Sequence, residues 1–206
     1  MSTETTTIET GTLTGTYDVD ATHSRLGFAA KHAMVATVRG GFKVYSGEVF
    51  LDEENPQNSW AKVEIDVASV DTGNADRDAH LLTPDFFDVA NHAKITFVST
   101  KVEKVDDDVF TLIGDLTIKG VTHPVTLNVV KYGEFNDPGM GHRIGYAAET
   151  KINRKDFGMQ FDMMLDGKFI VSNEIQINIE GELVEAKEKE PAGTTSSSSS
   201  SRADQK

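Results

Sequence analysis

Hydrophobic and polar residues alternate over much of the chain. In WAKVEIDVASV, Val63, Ile65 and Val67 share one face, with Lys62, Glu64 and Asp66 on the other. FTLIGDLTIKG sets Phe110, Leu112, Leu116 and Ile118 on one parity. Val125, Leu127 and Val129 alternate in HPVTLNVVKY, as do Ile175, Ile177, Ile179 and Leu183 in EIQINIEGELV. A period of two marks strands with one dry and one wet face. RLGFAAKHA, VRGGFKVYSGEVFLD, KITFVSTKVEKV and RIGYAAETKIN add further strands. Turn residues separate them at Asp106-Asp107-Asp108, Lys119-Gly120 and Asp137-Pro138-Gly139. Short antiparallel strands in succession predict a meander that curls into a barrel or sandwich.

Helical patterning is scarce; its best candidate is Asn74–Phe87, which Pro84 limits to short pieces. Within it, RDAHLLTPDFFDV crowds Leu81, Leu82, Phe86 and Phe87 between acids and a histidine. A core helix would have this composition, and so would the plug of an apolar cavity.

Composition narrows the picture. Among 206 residues, the segments 1–13 and 186–206, the latter with a serine run, hold too little apolar surface to offset the entropy of ordering them. They are expected to be mobile ends around one domain over 14–185. A net charge of −13 repels phosphate backbones, so nucleic acid is not an expected partner. Static docking on anionic membranes is disfavoured too, though brief encounters are not. The chain has no cysteine, which removes disulfides and thiolate chemistry. It shows neither the basic start and apolar run of a signal peptide nor the roughly 18 apolar residues of a membrane span. A cytoplasmic location without stable membrane insertion is the expectation.

Candidate chemistry is sparse. The six histidines, at 23, 32, 80, 92, 123 and 142, show no ligand spacing on a strand or helix, so no metal is expected. No G-x-S-x-G elbow accompanies the His23-Ser24 pair, and no catalytic residue is assigned. Glycine pairs lack phosphate-loop spacing and read as bulges and turns. Eleven phenylalanines and a methionine cluster at MQFDMM (Met159, Met163, Met164) suit either an ordinary core or an adaptable apolar lining.

Six ordered blocks carry a resemblance: YDVDATHSRLGFAAKH, VRGGFKVYSGEV, SVDTGNADRDAHLLTPDFFDV, KITFVSTKV, GDLTIKGVTHPVTL and INRKDFGM. Together they make the chain similar to the YceI-like family, often described as polyisoprenoid-binding proteins. The resemblance implies an all-β fold, an antiparallel eight-stranded lipocalin-like barrel with a short helical insert closing one end. It implies a bound polyisoprenoid or isoprenoid quinone in the interior, no further cofactor, no catalysis, and a homodimer. Many relatives carry a signal peptide, so their compartment does not transfer.

Guided by the family, the apolar lining is expected from Phe28, Phe42, Phe86, Phe87, Phe97, Met159 and Phe161. The headgroup or mouth is expected from His32, Arg154 and Asp156; a strand-end turn in which Arg154 pairs with an acid accounts for that block equally well. Leu81, Phe86 and Phe87 would form a plug that gates the cavity, with Arg77, Asp78 and His80 at its rim. Two other functions stay open: an isoprenoid-processing enzyme, which needs an acid/base pair inside the cavity, and an interaction or stress module with a fully packed barrel.

Overall fold

The computed structural model describes residues 12–137, 139–165 and 168–187. The expected mobile ends lie outside these residues except for 12–13 and 186–187. The alternating runs become strands β1 (Gly15–Val19), β2 (Arg25–His32), β3 (Ala36–Phe42), β4 (Tyr45–Leu51), β5 (Trp60–Asp66) and β6 (Val70–Asp71). They continue as β7 (Lys94–Asp106), β8 (Val109–Ile118), β9 (Val121–Asp137), β10 (Gly141–Asn153), β11 (Met164–Leu165), β12 (Lys168–Phe169) and β13 (Val171–Glu185). Among the described residues one α-helix, α1 (Ala75–Leu81), interrupts them.

Eight strands close a ring in the order β1-β4-β5-β7-β8-β9-β10-β13, and β13 returns to β1. Every pairing is antiparallel. This is the predicted barrel, and closure leaves no edge along the ring. β13 is long enough to hold two neighbours in line: Leu183–Glu185 pair with β1, while Ile175–Glu180 pair with β2. The branch β2-β3-β6 therefore extends the wall at one end. That end, which carries α1, is the helix end; the end near Gly141 and Glu185 is the far end.

Two long sequence runs are divided in the fold. WAKVEIDVASV stops as a strand at Asp66, whose carboxylate accepts the Ala68 N–H at 2.9 Å and turns Val67–Ser69 into a 3-10 turn. Val67 stays in the core at 1% exposure. VRGGFKVYSGEVFLD divides at Lys43-Val44 into β3 and β4. A bulge between Ser99 and Lys101 shifts the parity of β7, so Ile95 and Phe97 face inward before it and Val102 after it.

The core is the barrel interior. Val67, Val70, Phe87, Ile95, Leu116, Ile118, Ile152, Phe157 and Met159 cluster toward the helix end. Tyr17, Ile144 and Leu183 form a smaller cluster at the far end, with Leu13 packed against it. Two glycines set the shape of the space between. A Cβ on Gly114 would lie 2.4 Å from the Phe97 ring, and one on Gly40 would lie 2.6 Å from the Phe28 ring. Only glycine at these positions lets both rings lie where they do.

Candidate functional site

An apolar cavity of about 820 Å³ runs through the barrel from the helix end to the far end. Its middle is built by the parities read from the sequence, among them Val63, Leu112, Leu127, Ile177 and Ile179. All seven residues expected in the lining, Phe28, Phe42, Phe86, Phe87, Phe97, Met159 and Phe161, border it. Their rings form two series. Phe28, Phe42 and Phe87 follow one another at centroid spacings of 5.8 Å and 5.8 Å. His80, Phe86 and Phe161 meet as a triangle at 5.1, 5.2 and 4.9 Å. These spacings are favourable for edge and tilted ring contacts.

The RDAHLLTPDFFDV segment lies at the helix end. Asn74 caps α1 by accepting the Arg77 N–H at 2.9 Å, and the helix ends before Pro84. The chain then folds back: the N–H groups of Phe87 and Val89 donate to the Leu81 and Leu82 carbonyls at 3.0 Å each. This return leaves Phe86 at 7% and Phe87 at 9% exposure, with Leu81 beside them on the cavity. The rim is tied by hydrogen bonds. Asp78 accepts from the Thr72 N–H at 2.9 Å and its hydroxyl at 2.5 Å. Arg77 donates to the Thr72 hydroxyl at 2.7 Å and carbonyl at 2.9 Å, and His80 meets Asp85 at 2.9 Å.

The three expected headgroup residues separate. His32 borders the cavity and is exposed. Arg154 also borders it but is 2% exposed, and its guanidinium donates to Ser172 O (3.1 Å), Met159 O (2.6 Å) and Asp162 Oδ1 (3.1 Å). Lys155 and then Arg154 hold the Asp162 carboxyl below its usual range. Arg154 thus organises the turn that carries Met159, as in the strand-end alternative. Asp156 is exposed and does not border the cavity; its backbone carbonyl accepts from His123 Nε2 at 3.0 Å.

The far end holds what the sequence reading did not single out. Lys104, Lys131, Trp60 and Tyr146 border the cavity there. Lys131 continues the Val125-Leu127-Val129 parity, a signal present in the sequence; Lys104 is inward only because of the β7 bulge. Lys104 pairs with Asp107 at 3.1 Å, and Lys131 with Glu134 at 3.4 Å. At the same end the Tyr17 hydroxyl donates to Leu13 O at 3.1 Å and lies 3.4 Å from His142 Nδ1. Burial, with smaller contributions from Glu185, Glu134 and Glu53, pushes Tyr17 up to about 12.

Among the described residues one cluster has metal-ligand geometry, Asp20, His23 and Glu182. The Arg143 guanidinium already donates to Asp20 and Glu182 at 2.8 Å each, so a cation of the protein fills that position. With His23, it holds the Asp20 carboxyl far below its usual range.

No helix among the described residues is long and apolar enough to cross a membrane. The model of the YceI-like domain family matches residues 17–183. Protein YceI of Escherichia coli O157:H7 is 40% identical over 146 residues, covering 71% of this chain and 76% of that protein. The crystal structure of Burkholderia cenocepacia BcnA matches with a TM-score of 0.71 at 27% identity, covering 80% of this chain and 98% of that one. A polyisoprenoid binding domain from Saccharophagus degradans, implicated in plant cell wall breakdown, matches in fold with a TM-score of 0.62 at 19% identity, covering 82% and 98%.

Proposed function

The chain belongs to the YceI-like family, and from that premise we propose that it is a non-enzymatic carrier or reservoir for an isoprenoid lipid, a polyprenyl chain or an isoprenoid quinone. The observation that carries this reading is the continuous apolar cavity of about 820 Å³. A packed interaction module would fill that space with side chains.

Length and chemistry support a tail rather than a compact ligand. On β8 the lining runs from Phe110 to Ile118, roughly 26 Å of strand and about 20 Å along the axis at the usual tilt. Each isoprene unit removed from water contributes on the order of 3 kcal/mol at about 0.8 per methylene, much of it offset by ordering the tail. The walls therefore supply attraction, and selection among headgroups falls to polar groups at the ends. His32, exposed on the border of the cavity, is the proposed headgroup contact; Arg154 acts through the turn it holds. The titratable lining groups sit at the two ends, away from the apolar middle, which favours binding over an acid/base reaction on the buried chain. The plug of Leu81, Phe86 and Phe87 is proposed as the gate. A homodimer is part of the same proposal and is checked by sedimentation of the loaded protein.

The deciding experiment is organic extraction of the natively produced protein followed by mass spectrometry. A stoichiometric polyprenyl species supports the carrier. A clean extract from bare protein overturns it, and turnover of a prenyl substrate would replace it with an enzyme.

A further inference from the structure

The hairpin joining β2 to β3 exposes apolar side chains at its tip. Met34 is 69% and Val35 84% exposed. The tip is built from strained backbone: Ala33 and Met34 have φ of 48° and 60°, the left-handed region that tight hairpin turns usually give to Asn-Gly. The Val35 N–H closes the turn on His32 O at 3.0 Å. Two bonds join this tip to the cavity mouth: Ala33 N–H donates to Ile170 O, and Ile170 N–H to Met163 O, at 2.8 Å each. His32, Met163 and Ile170 all border the cavity. Met163 and Met164, at 51% and 57% exposure, add to the same apolar rim.

Charge separates the hairpin from the rest of the molecule; the acid next to Met163, Asp162, is paired with Arg154 and Lys155. The chain carries 33 acidic residues, yet none lies between Asp20 and Glu48, the stretch that contains the whole hairpin. That stretch contains Arg25, Lys31, Arg39 and Lys43. Among the described residues Lys43 is paired with Asp71, whereas Lys31 and Arg39 form no ion pair. Both are exposed on the hairpin. The far end also exposes apolar side chains, but beside acids: Val105 precedes Asp106-Asp107-Asp108, and Phe135 follows Glu134.

We infer that the β2–β3 hairpin is a docking edge for an anionic lipid surface: Met34 and Val35 enter the interface, Lys31 and Arg39 face the headgroups, and the cavity mouth is held against the membrane. The inference rests on the carrier reading and gives its gate a location. Apolar tips flanked by cations bind such interfaces by combined burial and attraction. The net charge of −13 keeps the encounter reversible.

The test is flotation of the full, lipid-stripped protein with vesicles of phosphatidylcholine, with or without phosphatidylglycerol. The protein should float with the anionic vesicles and weakly with neutral ones. M34E/V35E should lower the bound fraction about tenfold or more. K31A/R39A should lower it about five-fold per residue and flatten its salt dependence. M140E, at a position 56% exposed on the far end, should change nothing. All these sites are exposed, and unchanged melting temperatures confirm intact folds; M34Q/V35T gives a milder variant. Wild-type protein that does not float, or M140E as damaging as M34E/V35E, overturns the inference. So does an M34E/V35E variant that dissociates an oligomer while vesicle binding is unchanged, since the face would then join two copies. Docking by protein whose native extract is clean keeps the edge and removes the carrier; a loaded protein that never docks does the reverse.

Discussion

The two ends of the barrel are held by different physics. At the far end, Tyr17 is 1% and His142 4% exposed, and they meet inside a cluster with Ile144 and Leu183. The contacts join β1, β10 and β13, so opening that end means separating strands that close the ring. At the helix end, α1 has no fully buried residue. Its plug is held mainly by local bonds among Thr72, Arg77 and Asp78 and by edge and tilted ring contacts, with Lys119 Nζ on the Pro84 carbonyl at 2.6 Å. Local bonds within one segment can open without the barrel, whereas contacts between ring strands open only with it. The far end is a seal, and the helix end is the place where a gate is physically cheap.

The largest way to break this contrast is Tyr17→Ala. Loss of a buried aromatic between ring strands should destabilise the whole barrel by about 3–5 kcal/mol, seen as a lower urea midpoint. An unchanged midpoint would mean the far end is not a structural seal.

Alkaline titration separates the ends next. Burial pushes both Tyr17 and Tyr146 up to about 12 from an ordinary 10.0. The unfolded chain loses these protons near pH 10 while the folded chain keeps them, so stability is full below about pH 10 and falls as pH rises toward 12. Each tyrosine contributes about 3 kcal/mol to the loss. Tyr17→Phe should remove about half of it, followed by urea unfolding across that range, while variants at the plug leave the slope unchanged.

Between the ends, Gly114→Ala tests the cavity itself. Its new Cβ forces the Phe97 ring and the Val98 carbonyl aside, with an expected loss of about 1–3 kcal/mol and reduced capacity for an apolar fluorescent probe. Ring displacement without a change in capacity would show that Phe97 does not limit the space.

Much of this architecture was legible in the sequence. The parities of Phe110–Ile118, Val125–Val129 and Ile175–Leu183 face the cavity as a period of two requires, because a closed sheet has one dry side. The helix was legible from Asn74 and Pro84. What escaped depends on non-local register: the β7 bulge that turns Lys104 inward, and the split of β13 between two partners. The Tyr17–His142 contact joins residues 125 positions apart, and strand parity does not say which distant strands meet. Arg154 was found with two roles open, and the fold selects the strand-end turn: its donors meet protein carbonyls and Asp162, while Asp156 does not border the cavity.

The finest test loosens the rim alone. In Asp78→Ala the Thr72 N–H and hydroxyl lose their acceptor, and Arg77 loses the group that fixes its own acceptor in place. The expected stability loss is about 1–2 kcal/mol, with the urea slope unchanged. Exchange of a bound probe should nevertheless speed up several-fold, because about 1.4 kcal/mol taken from a local opening step is a factor of ten in its population. Exchange that speeds up by more than the drop in global stability accounts for places the gate at α1. Equal and parallel changes in both would mean that the ligand leaves only when the barrel itself opens, and the contrast between the two ends would carry no function.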